Sequence, residues 1–207
     1  MYAAKSFNIA LATKDIDTAM QEKAPEVLTD LSIMLRFYRQ DFKTPMIGEI
    51  AFNQTIGDGP SNPNFRVLNS NGAPCVRLTD IATVTAWTEE FDAMHVFTTA
   101  HLVNTMWEET LNSIENSLPK NHAAMIKARK RWDSKGTLDI YPHANKVNAE
   151  RTLPNAMYIP SSTAINSDRK GNSSRRELQF FDFWGKKSNK MISSAQSADI
   201  VAHEFGH

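Results

Sequence analysis

The stretch ADIVAHEFGH, residues 198–207, decides how this chain is read. On a helical period of 3.6 residues, Ala198, Val201, Ala202 and Phe205 share one face, and Asp199, His203 and His207 share the other. A step of four places His203 and His207 one turn apart, so both imidazoles can reach one ion. Imidazole nitrogen is a good zinc ligand, with bonds of about 2.0–2.1 Å. Glu204 stands beside the first histidine and off the ligand stripe, where it can touch a water on the metal without taking a coordination position. Zinc lowers the pKa of such a water towards about 7 and polarises a carbonyl. Glu204 is then the general base that takes the water proton and passes it to a leaving amine. The peptide bond is the matching target, because its hydrolysis needs both a strong nucleophile and a protonated leaving group.

The plain alternative is an amphipathic helix with two surface histidines. With six histidines in 207 residues, a chance His-Glu-x-x-His arises in roughly one chain in a hundred. Gly206 also weighs against it, since glycine inside a helix costs about 1 kcal/mol relative to alanine. Its presence predicts close packing there.

Working outward, 207 residues with 41% apolar content provide one large domain or two small ones with a real core. The 23 basic and 23 acidic residues cancel, which argues against binding to nucleic acid or an anionic membrane through bulk charge. The one basic run, KARKRW at 127–132, follows a long helix and reads as a solvated helix end. Cys75 is the sole cysteine, so no intrachain disulfide forms. No apolar stretch of signal-peptide length precedes Lys14 and Asp15, and no run approaches the roughly 20 residues that insert into a membrane.

Residues 16–40 carry a helical pattern in Ile16, Met20, Val27, Leu28, Leu31, Met34, Leu35 and Tyr38, with Pro25 opening a second helix. The Gly-, Pro- and Asn-rich IGDGPSNPNF, 56–65, predicts an exposed loop and a domain boundary. It divides a helical segment, 1–62, of unknown role from the remainder, 63–207. FRVLNSNGAPCVRL predicts a hairpin at 65–78 around Asn-Gly. A long helix spans about 86–118, apolar on two sides and so buried between layers, and Pro119 stops it. Strands are predicted at 137–143, 155–159 and 177–183, with a polar loop at 161–176. A last helix starts near Ser193. The class is α+β.

These residues resemble a zincin metallopeptidase, more narrowly the thermolysin- and fungalysin-like gluzincins. SADIVAHEFGH is similar to that group's Asp-x-Val-x-His-Glu-x-x-His helix, and NAMY, 155–158, resembles its Asn-Ala-aromatic-aromatic edge strand. Met157 departs from that pattern and Tyr158 matches it. LDIYPHA and ELQFFDF resemble the flanking strands, and 86–118 the long backing helix, so the likeness covers about 63–207. The resemblance implies a catalytic subdomain with a small mixed or antiparallel sheet. It implies one zinc ion on His203 and His207, Glu204 as base, and a peptide or protein substrate held on the edge strand by the Asn155 amide and Ala156 carbonyl. It also implies a third ligand, a glutamate on a later helix, and an oxyanion-stabilising His or Tyr in a helical C-terminal domain. Neither follows His207, so the expectation is an N-terminal piece that binds zinc weakly and has little or no activity of its own. The family is typically exported.

Two rivals stay open. AHEFGH also begins the matrixin-type metzincin motif, which continues x-x-Gly-x-x-His. A non-catalytic binding module with a vestigial site is the other, although a dead site has no need of Glu204. For Asp199, a supporting or calcium-binding role competes with simple charge at a helix N-terminus. His143 reads as a strand-end residue satisfied by backbone. His95 and His101, six apart, are helix side chains that do not share a face. His122 falls in a loop, and Glu108 and Glu109 face solvent.

Overall fold

The computed structural model describes residues 33–38, 47–133, 136–144, 155–160 and 176–207. Thr88 opens the longest element: its hydroxyl accepts the Phe91 N–H at 3.2 Å. Glu89, Glu90 and Asp92 in the first turn suit the positive end of the helix dipole. This helix, α1 (Glu89–Ser117), ends just before Pro119, as the sequence predicts. Every residue from Phe91 to Ala100 is buried, so this half passes through the core as a fully enclosed rod. The second half emerges, leaving Leu102, Met106, Trp107 and Ile114 exposed.

There it meets α2 (Ala123–Asp133). Arg129 reaches Glu108 at 2.7 Å and Glu115 at 3.4 Å, and also donates to Asn112. The basic run therefore lies on a helix of its own rather than at the end of α1. Glu108 is half-buried in an ion pair, not simply facing solvent. His122 sits in the turn before α2, its carbonyl accepting the Ile126 N–H.

The main sheet has the order β3 (Phe65–Val67), β4 (Leu138–Tyr141), β6 (Arg176–Phe180), β5 (Ala156–Ile159). The β3–β4 and β4–β6 pairs are parallel; β5 lies antiparallel at one edge. β4 is buried along its whole length, as a central strand in a parallel pairing requires. Arg66 forks onto its register partner Asp139 with bonds of 2.9 and 2.8 Å. The Phe65 ring packs edge-on to Phe97 of α1. The architecture is mixed α+β, and no helix among the described residues is long and apolar enough to cross a membrane.

Several local expectations are corrected. Residues 33–38 form a strand, not a helix: β1 (Ile33–Tyr38) pairs antiparallel with β2 (Ile47–Phe52). Ile, Phe and Tyr fit a pleated, half-buried surface, and the Tyr38 N–H finds His95 Nδ1 of α1 at 3.1 Å. Tertiary pairing wins there over helical spacing. Leu35, Tyr38 and Phe52 enter the same core as Phe91 and Phe97. The periodic positions from Ile16 to Leu31, and Pro25, lie outside the described residues.

The 56–65 loop is stitched to β3 and to the segment around Val76. Gly59 N–H bonds Val76 O at 2.8 Å, and Val67 N–H bonds Pro60 O at 3.0 Å. Gly59, at φ 134°, leaves no room for a side chain, since a Cβ would lie 2.9 Å from Val67 O. The predicted turn at Asn69–Ala73 is present, with Asn69 Oδ1 accepting from Asn71 and Ala73. Its second arm makes only single bridges, Leu68 to Pro74 and Gly59 to Val76, because β3 pairs with β4 instead. The strand expected at 177–183 breaks at Phe181. Beyond it, β7 (Asp182–Gly185) folds onto β8 (Lys190–Ser193) as a separate hairpin. The polar loop expected at 161–176 lies outside the described residues, apart from Arg176, which begins β6.

Candidate metal centre

The closing helix, α3 (Ala198–Phe205), follows a 3-10 turn at Ser194–Gln196 and is capped by Ser197, whose Oγ accepts the Ile200 N–H. Asp199 is exposed in its first turn, a position favourable for negative charge. The apolar face falls as predicted. Val201 is fully buried, and the Phe205 ring lies 5.4 Å from that of Phe65. The helix packs on α1 and lies beside β5.

His203 and His207 project to solvent. The last turn tightens: Gly206 N–H reaches both Ala202 O and His203 O, and His207 N–H reaches Glu204 O at 3.4 Å. His207 therefore stays on the helical spiral although α3 ends at Phe205. The two Nε2 atoms are 3.3 Å apart, with ring planes at 87°. A tetrahedral ion with bonds of about 2.0–2.1 Å separates two of its ligand nitrogens by roughly 3.3–3.4 Å. The pair thus fits two corners of a zinc site. Glu204 is half-buried on the adjoining flank. Gly206 does not pack closely, contrary to expectation: it is exposed, and an added Cβ would meet only the carbonyls of His203 and Ala202. It closes the helix.

Beside α3, Phe181 N–H donates to Asn155 O at 3.1 Å, which sets the phase of the β5–β6 ladder. Alternation then turns Met157 and Ile159 backbone groups towards β6 and those of Ala156 and Tyr158 away from it, to the side where no described strand pairs. The Ala156 carbonyl thus points where an added strand would bind. Asn155 is exposed, and its carbonyl is engaged by both Phe181 N–H and Ser194 Oγ, the latter at 2.7 Å. Among the described residues no three His, Cys, Asp or Glu side chains gather to hold a metal.

A second polar group was not foreseen. His143 is held by carboxylates, not by backbone: Nδ1 lies 2.8 Å from Asp182 Oδ1, and Nε2 lies 3.5 Å from Asp92 Oδ2. Asp92 also accepts from Gln196 Nε2 at 2.9 Å and from the Tyr38 hydroxyl at 3.5 Å. Burial pushes the Asp92 carboxyl up to about 6, against the opposing pull of His143. Burial alone would lower His143; the hydrogen bond and charge of Asp182, then Asp92 and Glu89, outweigh it and raise it. Tyr38 is raised by burial and by Asp92. His95 is fully buried, accepts from Tyr38 N–H, and is driven down to about 3 by burial. His101 lies edge-on to Phe52. The available signal was a lone acid in each of two apolar stretches, Asp92 in FDAMHVF and Asp182 in FFDFW, since unpaired charge is almost never buried. No family model matches the sequence, and neither curated proteins nor solved structures yield a match.

Proposed function

We propose that this chain carries part of the active site of a zinc-dependent metalloendopeptidase of the zincin type, nearest the gluzincins. The observation that carries the reading is the 3.3 Å approach of two solvent-facing Nε2 atoms one turn apart, next to Glu204 and near β5, the edge strand among the described residues. His203 and His207 would hold the ion, and a third ligand would come from outside the described residues. When bound, zinc supplies Lewis acidity to a carbonyl and makes a water more acidic. Glu204, beside the pair, would serve as the base that takes a proton from that water and gives it to the departing amine. Ala156 and Tyr158 present backbone groups to an extended peptide, which adds as a strand antiparallel or parallel to β5. Asn155 fixes the start of that strand.

Zinc titration of the 207-residue chain against a chromophoric chelator tests this. One zinc per chain is expected, lost in His203→Ala and in His207→Ala, and retained in Glu204→Gln. Zinc uptake unaffected by either alanine variant sinks the proposal. The coding sequence beyond His207 separates the two enzyme readings: x-x-Gly-x-x-His marks a metzincin, a glutamate-bearing helix a gluzincin.

A further inference from the structure

Helix α3 has eight residues, and an isolated helix shorter than about 12 residues is marginal in water. Something must hold it at the sheet. Val201 and Phe205 provide packing at its middle and end. Its entrance is held by polar groups. Ser193 Oγ donates to Pro142 O at 2.8 Å, Ser194 Oγ donates to Asn155 O, and Gln196 Nε2 donates to Asp92 Oδ2. Three anchors therefore tie the approach to α3 to the end of β4, the start of β5 and the buried half of α1.

One of these anchors ends on a charge cluster, and another ends beside it. Pro142 precedes His143, and Asp92 faces it. Nδ1 of His143 is hydrogen-bonded to Asp182 Oδ1 at 2.8 Å, and Nε2 lies 3.5 Å from Asp92 Oδ2 without a hydrogen bond to it. The ring thus stands between two acidic side chains, and a charge on it is opposed by burial but favoured by both of them. The groups facing this ring are Asp92 and Glu89 from α1 and Asp182 from β7, with Tyr38 of β1 reaching Asp92 from the far side.

We propose that Asp92, His143 and Asp182 form a buried latch that positions the His203-bearing helix through Gln196. The function assigned to the latch rests on the zinc-site reading; the cluster's charge arrangement does not. Loss of the ring proton leaves two carboxylates facing a lone pair and each other in a buried site. The cluster that fixes Asp92 opposite Gln196 then loses its central charge, and the entrance of α3 loosens while the sheet stays intact. His143 and Gln196 are positioning residues, and neither touches the ion.

Amide hydrogen exchange between pH 6.5 and 9, expressed as protection factors, tests the latch. In the unaltered chain, protection in α3, at Val201 to Phe205, is expected to fall at least tenfold over this range relative to Ile140 and Leu178 in the sheet. Gln196→Leu is expected to show the low α3 protection already at pH 6.5, with the sheet unchanged; His143→Gln should do the same without further pH dependence. If His143→Gln fails to fold, Gln196→Leu carries the test. Constant α3 protection across the range, or full protection in Gln196→Leu, overturns the proposal. Zinc titration run in parallel keeps the two readings apart. Absence of zinc binding with the predicted exchange pattern removes the peptidase reading and leaves the latch. Zinc binding with exchange independent of pH does the reverse.

Discussion

Two pairs of histidines divide this molecule. His203 and His207 stand in solvent with their Nε2 atoms facing one another at 3.3 Å. His95 and His143 are enclosed, one accepting from the Tyr38 backbone, the other wedged between carboxylates. The first pair has geometry that suits an ion and contributes little to holding the chain together. The second pair is enclosed among partners that hold the chain together. Residue type alone separates neither. What separates them is whether the ring nitrogens converge on open space or on the chain's own polar atoms.

That comparison breaks most easily at His143. Removing one member of a buried ionic group strands the others, at a cost of about 3–5 kcal/mol. His143→Leu should show that loss in chemical denaturation at pH 7. A loss below about 1 kcal/mol would place His143 with the exposed pair.

The pH dependence sharpens the difference between the two enclosed rings. His95 stays neutral in the fold down to about 3, whereas the unfolded chain takes up its proton near 6.5. The unfolded state thus binds more protons over that interval, and stability falls as pH drops from 6.5 to 4, by about 3 kcal/mol. Asp92 has the opposite sign. Its carboxyl titrates at about 6 in the fold and near 3.9 unfolded, so the fold gains about 2–3 kcal/mol as pH drops over the same range. The two nearly cancel. Denaturation at pH 6.5 and pH 4 should therefore show a steep acid loss in Asp92→Asn and an acid gain in His95→Gln. His143, raised in the fold, contributes stability that is present below about 6.5 and lost as pH rises through its folded value. The alkaline limb belongs to it, and His143→Gln should flatten that limb.

The exposed pair was legible in the sequence and the enclosed pair was not. His203, Glu204 and His207 lie within five residues, so local helical geometry brings them together without help from the rest of the fold. The same holds for α1 and its Pro119 stop, though its Thr88 cap is seen only in the fold. The latch draws residues 92, 143, 182 and 196 from four separate elements, and no local spacing encodes that meeting. β1 misled for a related reason: positions 34, 35 and 38 satisfy a helical period, while the hydrogen bonds that fix the strand come from β2 and from His95, nine or more residues away. The edge strand lies between these cases. NAMY marked it, yet only the pairing with β6 tells which of its backbone groups face outward.

A smaller effect is expected where the two regions touch. Ser194 Oγ donates to Asn155 O and accepts from Phe181 N–H, so it holds the start of β5 against the approach to α3. Ser194→Ala removes both bonds and should cost about 1–2 kcal/mol. The loss should appear as weaker amide protection in Ala156–Ile159, with the β3–β4 pair unaffected. Equal weakening of all four strands would mean that Ser194 supports the sheet in general rather than this joint.

The smallest change in stability is expected at the exposed pair itself. With a chelator present, His203→Ala and His207→Ala remove side chains from a solvent-facing helix end, and surface substitutions of this kind stay within about 0.5 kcal/mol. With zinc present the picture inverts. A ligand that binds only the folded chain adds stability as RT ln(1 + [L]/Kd), about 2.7 kcal/mol at a hundredfold excess over Kd. That increment should be present in the unaltered chain and absent from both variants. Denaturation midpoints measured with chelator and with zinc give both numbers from one preparation. A loss above about 2 kcal/mol in chelator would show that these histidines hold the fold, and the distinction between the two pairs would fail. Near-neutral substitutions that abolish the zinc increment would leave a site whose residues are there for the ion and not for the scaffold.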